Sequence, residues 1–160
     1  MTYLLDVNVM LSLRYVHHVH HDRTICWLRN LETWGAPARF ASCSTTELGF
    51  VRIAGNRNSG LADNVAAAQE DLLHLKEDFP FVFLTDPLGA DHLPLWVERC
   101  RQVTDGHLLA LANVNGMKFA TLDRGIPGAL LIPEQPNEPM VVREPTIPYG
   151  AGTHYSSHVN

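Results

Sequence analysis

The chain has 160 residues, of which 46% are hydrophobic and 18% charged, and its formal net charge is −5 at pH 7. This size and composition predict one globular domain with a sizeable core. They exclude a membrane-spanning segment, which requires about 20 consecutive apolar residues. They also argue against a protein coated in positive charge for duplex binding, although a local nucleic-acid site remains compatible.

Short apolar runs alternate with helical patterns along the chain. Strands are predicted at residues 3–5, 39–42, 81–84, 118–122 and 129–132, and helices at residues 9–16, 20–34, 44–53, 63–75, 93–100 and 105–114. This alternation predicts an α/β fold, a three-layer α/β/α sandwich with a mainly parallel central sheet. Residues 134–160 are rich in Pro, Gly, Ser and Thr, so we expect a domain at residues 1–133 followed by an extended tail.

The start of the chain and the cysteines indicate the compartment. The first strand-like run begins at residue 3 without a basic leader, which predicts a cytoplasmic protein. Cys26, Cys43 and Cys100 are odd in number and lack the spacing of a metal motif. We expect all three to be buried small hydrophobic residues in a reducing compartment.

Four acidic residues stand where predicted strands or helices begin or end: Asp6, Glu47, Asp105 and Asp123. A helix over residues 105–114 advances about 15 Å at 1.5 Å per residue. The strand at residues 118–122 returns about 16 Å at roughly 3.3 Å per residue. Because the two legs nearly cancel, Asp105 and Asp123 should lie at the same edge of the sheet.

The other two acids are predicted at that edge as well. Asp6 closes the first strand, and Glu47 lies in the first turn of the helix after the second strand. The crevice outside the carboxyl ends of the strands is the usual ligand site of an open α/β sheet. Clustered carboxylates repel one another unless a cation lies among them, and oxygen ligands suit Mg²⁺ or Mn²⁺. The fitting chemistry is hydrolysis of a phosphodiester.

Each acid lies within a short motif: YLLDVNV (residues 3–9), TTELGFVR (45–52), TDGHLLALA (104–112) and ATLDRG (120–125). In this order and spacing, over roughly residues 3–132, the chain resembles the PIN-domain ribonucleases, specifically the VapC-type toxins of bacterial toxin–antitoxin pairs. One departure is Gly106, where many members carry a small side chain such as alanine. Glycine lowers helix propensity there but should leave the metal site intact.

The resemblance implies Mg²⁺- or Mn²⁺-dependent endonucleolytic cleavage of RNA, a homodimer, and neutralisation by a cognate antitoxin. It implies a catalytic set that comprises Asp6, Glu47, Asp105 and Asp123. Three of these, Asp6, Asp105 and Asp123, are the expected metal ligands. Asn8 and Thr121 are expected to support the site. Arg124, which lies in the last motif, is a further supporting residue that could contact an RNA phosphate, with a plain surface position as the alternative.

Purely structural interpretations remain open for the acids. Asp6 would simply end a strand, Asp105 would benefit from the helix dipole, and Asp123 would form the turn at residues 123–125. Ser44 and Glu47 match a capping box, in which Glu47 bonds the backbone N–H of Ser44.

Two other functions also remain open. One is a non-catalytic PIN-like RNA-binding module that has kept the fold and lost turnover. The other is a haloacid-dehalogenase-like phosphatase with Asp6 as the nucleophile, although that class requires a second Asp where this chain has Asn8.

Several other residues have both a functional and a structural interpretation. A histidine cluster (17, 18, 20 and 21) could bind zinc or RNA, but a solvated loop is favoured because no Cys or acid completes a tetrahedral set. Arg14 and Arg52 could contact phosphates, although a plain surface position is expected for each. Four apolar residues are expected mainly in the core rather than at a partner face: Trp27, Leu28, Leu31 and Trp34.

Overall fold

Strands and helices alternate along residues 1–33 and 38–134, which the computed structural model describes. The strands are β1 (Thr2–Leu5), β2 (Arg39–Cys43), β3 (Phe81–Leu84), β4 (Lys118–Thr121) and β5 (Leu130–Leu131). The helices are α1 (Val7–Arg14), α2 (His21–Thr33), α3 (Ser44–Ala54), α4 (Val65–Asp78) and α5 (Val103–Val114). The predicted tail beyond residue 134 lies outside the described residues.

The strands form one parallel sheet with the order β3-β2-β1-β4-β5. From β1, the chain adds β2 and β3 on one side and later adds β4 and β5 on the other. The topology therefore switches between β1 and β4, which pair with Leu5 opposite Ala120. In open α/β sheets the ligand crevice lies outside the carboxyl ends of the strands at this switch point.

The sheet carries a hydrophobic core on each face, because successive residues of a strand point to opposite sides. Tyr3 and Leu5 pack with residues of α1 to α4 in one buried cluster. Leu4, which lies between them, packs with α5 and Phe119 in the other. Burying a side chain such as Leu4, which is fully excluded from solvent, contributes roughly 2 kcal/mol. The three-layer α/β/α prediction is confirmed.

The helix predicted at residues 93–100 is wrong. Short 3₁₀ turns occupy Ala90–His92 and Cys100–Gln102 instead. Pro94 disfavours a helical conformation in the residue before it, and the Pro94 carbonyl accepts a turn hydrogen bond from the Val97 N–H at 3.0 Å. Trp96 packs against the α5 side of the sheet, so burial rather than helix propensity fixes this segment.

The end of α1 is attached to α4 by a polar network. Arg14 Nη2 lies 2.6 Å from Asp71 Oδ1, and the Tyr15 hydroxyl donates a hydrogen bond to Asp71 Oδ2 at 2.8 Å. Burial and the neighbouring carboxylate raise the pKa of Tyr15 above its usual value. The guanidinium of Arg14 is therefore engaged within the fold, which favours a structural role over the alternative of a contact with an RNA phosphate.

The cysteine prediction holds for one residue and fails for another. Cys43 is buried, Cys26 is half-buried and Cys100 is exposed, and all three are free thiols. Cys100 begins the 3₁₀ turn Cys100–Gln102 rather than ending the predicted helix.

The apolar set of α2 lies largely in the core. Trp27 is buried, and Leu28 and Leu31 pack against the same cluster, while Trp34 lies outside the described residues. Among the described helices, none combines the length and apolar character needed to cross a membrane.

The histidine cluster forms the turn between α1 and α2. His21 Nδ1 lies 2.8 Å from the Ser12 carbonyl, and the backbone N–H of His20 donates to His18 Nδ1 at 3.2 Å. Burial and the neighbouring His20 and His21 rings lower the pKa of His18. These contacts attach the turn to the start of α2, as the structural interpretation of the cluster predicts.

Candidate active site

Asp6 and Asp123 meet at the switch point between β1 and β4, and Thr121 joins them. Asp6 follows β1, and its backbone N–H donates to the Ala120 carbonyl at 3.0 Å. Thr121 Oγ1 donates to Asp6 Oδ2 at 2.8 Å and accepts from the Asp123 backbone N–H at 3.1 Å. Thr121 is fully buried, so one hydroxyl links the acid after β1 to the residue after β4.

Asp105 lies in the first turn of α5 and interacts electrostatically with Asp6 and Asp123. Burial, and to a lesser extent the charges of Asp6 and Asp123, raise its pKa to about 6. The shift shows that these three carboxylates lie within electrostatic reach of one another, although they are spread over more than a hundred residues of sequence.

Opposing influences act on the ionisation of Asp6, which is 7% exposed. Burial raises its pKa and Asp123 adds to the rise. The hydrogen bond from Thr121 lowers it, as do the backbone N–H groups of Val7 and Asn8 at the start of α1. The net direction is upward, so the surroundings disfavour the charged form of this carboxylate in the absence of a cation.

The three carboxylates fit a hard divalent cation. Within the described ranges, none of them forms an ion pair with a Lys, Arg or His side chain. Over the same ranges, no three His, Cys, Asp or Glu side chains are drawn together as a ready-made metal cluster. Burial and the neighbouring charges of Asp6 and Asp123 raise the pKa of Asp105, and a divalent cation would offset both effects. Carboxylate oxygens are the ligands that Mg²⁺ and Mn²⁺ prefer.

Glu47 has a different environment from the other three acids. Its Oε1 accepts a hydrogen bond from Ser42 Oγ at 2.6 Å and another from Lys76 Nζ at 2.6 Å. The predicted capping box is wrong, because the N-cap of α3 is Cys43 and the reciprocal bond comes from Thr46, whose Oγ1 accepts from the Cys43 N–H at 2.9 Å. Glu47 is thereby free of any capping role and is bound to a lysine instead.

The remaining site residues lie at the surface. Asn8 is exposed in the first turn of α1. The Arg124 side chain is 68% exposed and its Nη2 lies 2.5 Å from Glu134 Oε2. Asp123 also forms the predicted turn, since its Oδ1 accepts from the Gly125 N–H at 2.7 Å. Asp123 therefore both stabilises this turn and contributes a negative charge near Asp6 and Asp105.

Gly106, the departure from the family pattern, has a packing reason. It is buried beside Asp105 in α5. A Cβ at this position would lie 2.3 Å from Val97 Cγ2 and 3.4 Å from Pro94 Cδ. The absence of a side chain therefore lets Val97 and Pro94 pack closely against α5 at this position.

A second contact on α5 was not predicted from the sequence. His107 Nε2 lies 2.6 Å from Asp86 Oδ2, and the two side chains are only 19% and 15% exposed. Asp86 also accepts from the Leu88 backbone N–H at 3.3 Å, as a capping residue would. This pair attaches the segment after β3 to the helix that carries Asp105.

An open apolar groove lies next to Glu47, between α3, α4 and β3. It measures about 590 Å³. Its apolar lining includes Leu48, Leu73 and Phe83, which are 70%, 61% and 52% exposed. Large apolar side chains exposed together on one surface mark an interaction site.

The parallel α/β/α sandwich is the fold that the PIN-like motifs predict. No protein-family model matches the chain. Ribonuclease VapC38 of Mycobacterium tuberculosis (strain ATCC 25618 / H37Rv) is 38% identical over 126 residues, which cover 77% of this chain and 86% of that protein. Ribonuclease VapC29 of the same strain is 35% identical over 130 residues, or 79% and 89% of the two chains. Ribonuclease VapC39 is 34% identical over 131 residues, or 79% and 91%.

The chain therefore belongs to the VapC-type family of PIN-domain ribonucleases. The resemblance stated from the four motifs is confirmed, and the phosphatase interpretation is set aside.

Proposed function

We propose that this protein is a divalent-metal-dependent endoribonuclease, the toxin of a type II toxin–antitoxin pair. The observation that carries the proposal is that Asp6, Asp105 and Asp123 lie within electrostatic reach of one another at the switch point, where burial and then the charges of Asp6 and Asp123 raise the pKa of Asp105. The family membership supports RNA as the substrate, since the relatives are named ribonucleases.

Asp6, Asp105 and Asp123 would hold Mg²⁺ or Mn²⁺. When bound, the cation would lower the pKa of an attacking water and stabilise negative charge on the phosphate. Asp105 would give up its proton as the cation binds, because metal ligands must be deprotonated. Thr121 would fix the orientation of the Asp6 carboxylate through the bond to Oδ2.

Other residues would act on the substrate. Glu47, at the same edge of the sheet, completes the proposed catalytic set. Asn8 and Arg124 are exposed beside Asp6 and Asp123 in sequence, and Arg124 would contact an RNA phosphate after exchanging its partner Glu134.

Metal removal tests the proposed activity. We expect the purified protein to cut an end-labelled RNA internally in Mg²⁺ or Mn²⁺, and to stop when EDTA is added. Product lengths on a denaturing gel distinguish internal cutting from degradation at an end. Cleavage that continues at the same rate in excess EDTA would contradict the metal requirement. Mn²⁺ binding measured by calorimetry, together with no cleavage of any RNA in a diverse pool, would instead support the non-catalytic module.

We also propose a homodimer and a cognate antitoxin as protein partners, supported by the apolar groove beside Glu47. We expect the wild type to elute as a dimer in size-exclusion chromatography with light scattering, and a Leu48→Glu, Leu73→Glu variant to elute as a monomer with an unchanged circular dichroism spectrum. A dimer that survives both changes would place the dimer contact elsewhere. The antitoxin is sought by co-purification with the product of a small neighbouring reading frame.

A further inference from the structure

Lys76 is held from two sides next to a proposed catalytic acid. It lies in the last turn of α4, 29 residues after Glu47 in sequence. Its Nζ is 2.6 Å from Glu47 Oε1 and 5.6 Å from the centroid of the Phe83 ring. The Lys76 and Glu47 side chains are 28% and 21% exposed, so this ion pair is partly shielded from water.

Glu47 Oε1 accepts a second hydrogen bond, from a serine in the sheet. Ser42, fully buried in β2, donates to Glu47 Oε1 at 2.6 Å. Two donors on a single oxygen restrict the Glu47 side chain to one orientation. Ser42 in β2 is paired with Phe83 in the neighbouring strand β3. The residue that donates to Glu47 and the ring that contacts the Lys76 ammonium therefore lie side by side in the sheet.

We propose that Lys76 is a positioning residue, which holds Glu47 as a neutral pair and keeps this fourth acid out of the cation-binding set. The inference rests on the proposed metal site. Its basis is the pattern of contacts: Lys76 Nζ lies 2.6 Å from Glu47 Oε1, whereas within the described residues none of Asp6, Asp105 and Asp123 forms an ion pair with a Lys, Arg or His side chain. The site then presents three uncompensated carboxylates to a cation rather than four.

If Lys76 neutralises Glu47, removing either charge should change the Mn²⁺ affinity, and the two changes should be opposite in direction. Removing the Lys76 charge with Lys76→Met leaves Glu47 uncompensated, so Mn²⁺ should bind roughly three- to tenfold more tightly. Glu47→Gln leaves the ammonium uncompensated, so Mn²⁺ should bind more weakly by a similar factor. The double variant removes both charges and should return to within about twofold of the wild type. A double-mutant cycle of this kind isolates the coupling between the two residues.

The experiment is calorimetric titration of Mn²⁺ into the full-length protein, with melting temperatures recorded for every variant. Lys118→Met is the matched control, because Lys118 is exposed at the opposite, amino end of β4, and it should leave the Mn²⁺ dissociation constant unchanged. Lys76→Arg keeps the charge and should also bind Mn²⁺ as the wild type does.

Three outcomes would overturn the proposed role of Lys76, and each points to a different explanation. An unchanged Mn²⁺ affinity in Lys76→Met, with a lower melting temperature, would make Lys76 a purely structural residue and overturn the inference alone. Weak binding in both Glu47→Gln and the double variant would make Glu47 a metal ligand and also overturn it. No Mn²⁺ binding by the wild type would overturn the inference and the proposed function together.

Discussion

Asp6→Asn is expected to slow RNA cleavage by at least about a hundredfold, the scale on which losing a charge-stabilising group lowers kcat. Its melting temperature should equal or exceed that of the wild type. Asp6 is 7% exposed, and both burial and Asp123 disfavour its charged form. The asparagine keeps the shape of the side chain and an oxygen that can accept from Thr121, but it removes the buried charge.

This prediction is checked by single-turnover cleavage of a labelled RNA in Mg²⁺, together with a thermal melt in EDTA. Asp22→Asn is the matched control, because Asp22 is exposed in the first turn of α2, and it should cleave at the wild-type rate. An Asp6→Asn protein that still cuts RNA in a Mg²⁺-dependent manner would remove Asp6 from the site. A large fall in melting temperature would show that the charge is satisfied by a contact that supports the fold.

The sequence predicts the location of the acids because strand direction alone fixes it. Once β1 and β4 are parallel neighbours, the residues after them must emerge at one edge, and Asp6 and Asp123 do so. Asp105 follows from the near-equal lengths of α5 and the return through β4. These inferences need only element types, which long patterned segments specify well.

The failures arise where packing overrides local preference. The predicted helix at residues 93–100 contains a proline at its second position, and burial of Trp96 and the fit of Val97 over Gly106 hold the segment in an irregular conformation. The N-cap of α3 moves from Ser44 to Cys43 for a related reason, since buried Thr46 takes the reciprocal bond. Neither outcome can be read from residue propensities.

The partner of Glu47 is unpredictable for a different reason. Lys76 is one residue among the exposed charges of a strongly patterned helix, and nothing in its immediate sequence marks it. Its contact depends on α4 packing across α3 and on β3 lying beside β2, which places Phe83 beneath the ammonium. The contact between Lys76 and Glu47 depends on the whole fold, so it cannot be predicted from the sequence around either residue.

Asp105→Asn is expected to stabilise the metal-free protein at pH 7.5 and to have almost no effect at pH 4. The pKa of Asp105 is about 6 in the folded protein, against an ordinary value of 3.8. Between these values the unfolded chain releases its proton while the folded protein retains it, so stability from this group falls as pH rises from about 4 to 6. Asparagine does not titrate, and it avoids that loss.

The expected gain at pH 7.5 is about 1 kcal/mol, reduced from the full shift because the side chain is partly exposed. This corresponds to about 3 °C in melting temperature for a chain of this size. The dipole of α5 opposes the gain, since it favours a negative charge in the first turn. Burial and the neighbouring acids act in the other direction and raise the pKa of Asp105, so we expect a net gain.

Mn²⁺ should reverse the order of stability, so that the wild type melts at a higher temperature than Asp105→Asn. Binding at a hundred times the dissociation constant stabilises the wild type by about 2.7 kcal/mol, and a variant lacking one proposed ligand should gain less. Melts at pH 4 and 7.5, with EDTA or with Mn²⁺, test both effects, and Asp63→Asn, at an exposed acid before α4, should show neither. If Mn²⁺ stabilises Asp105→Asn as strongly as the wild type, Asp105 does not bind the cation. If EDTA melts show no gain at pH 7.5, the three carboxylates do not repel one another in the folded protein, and the electrostatic basis of the site is lost.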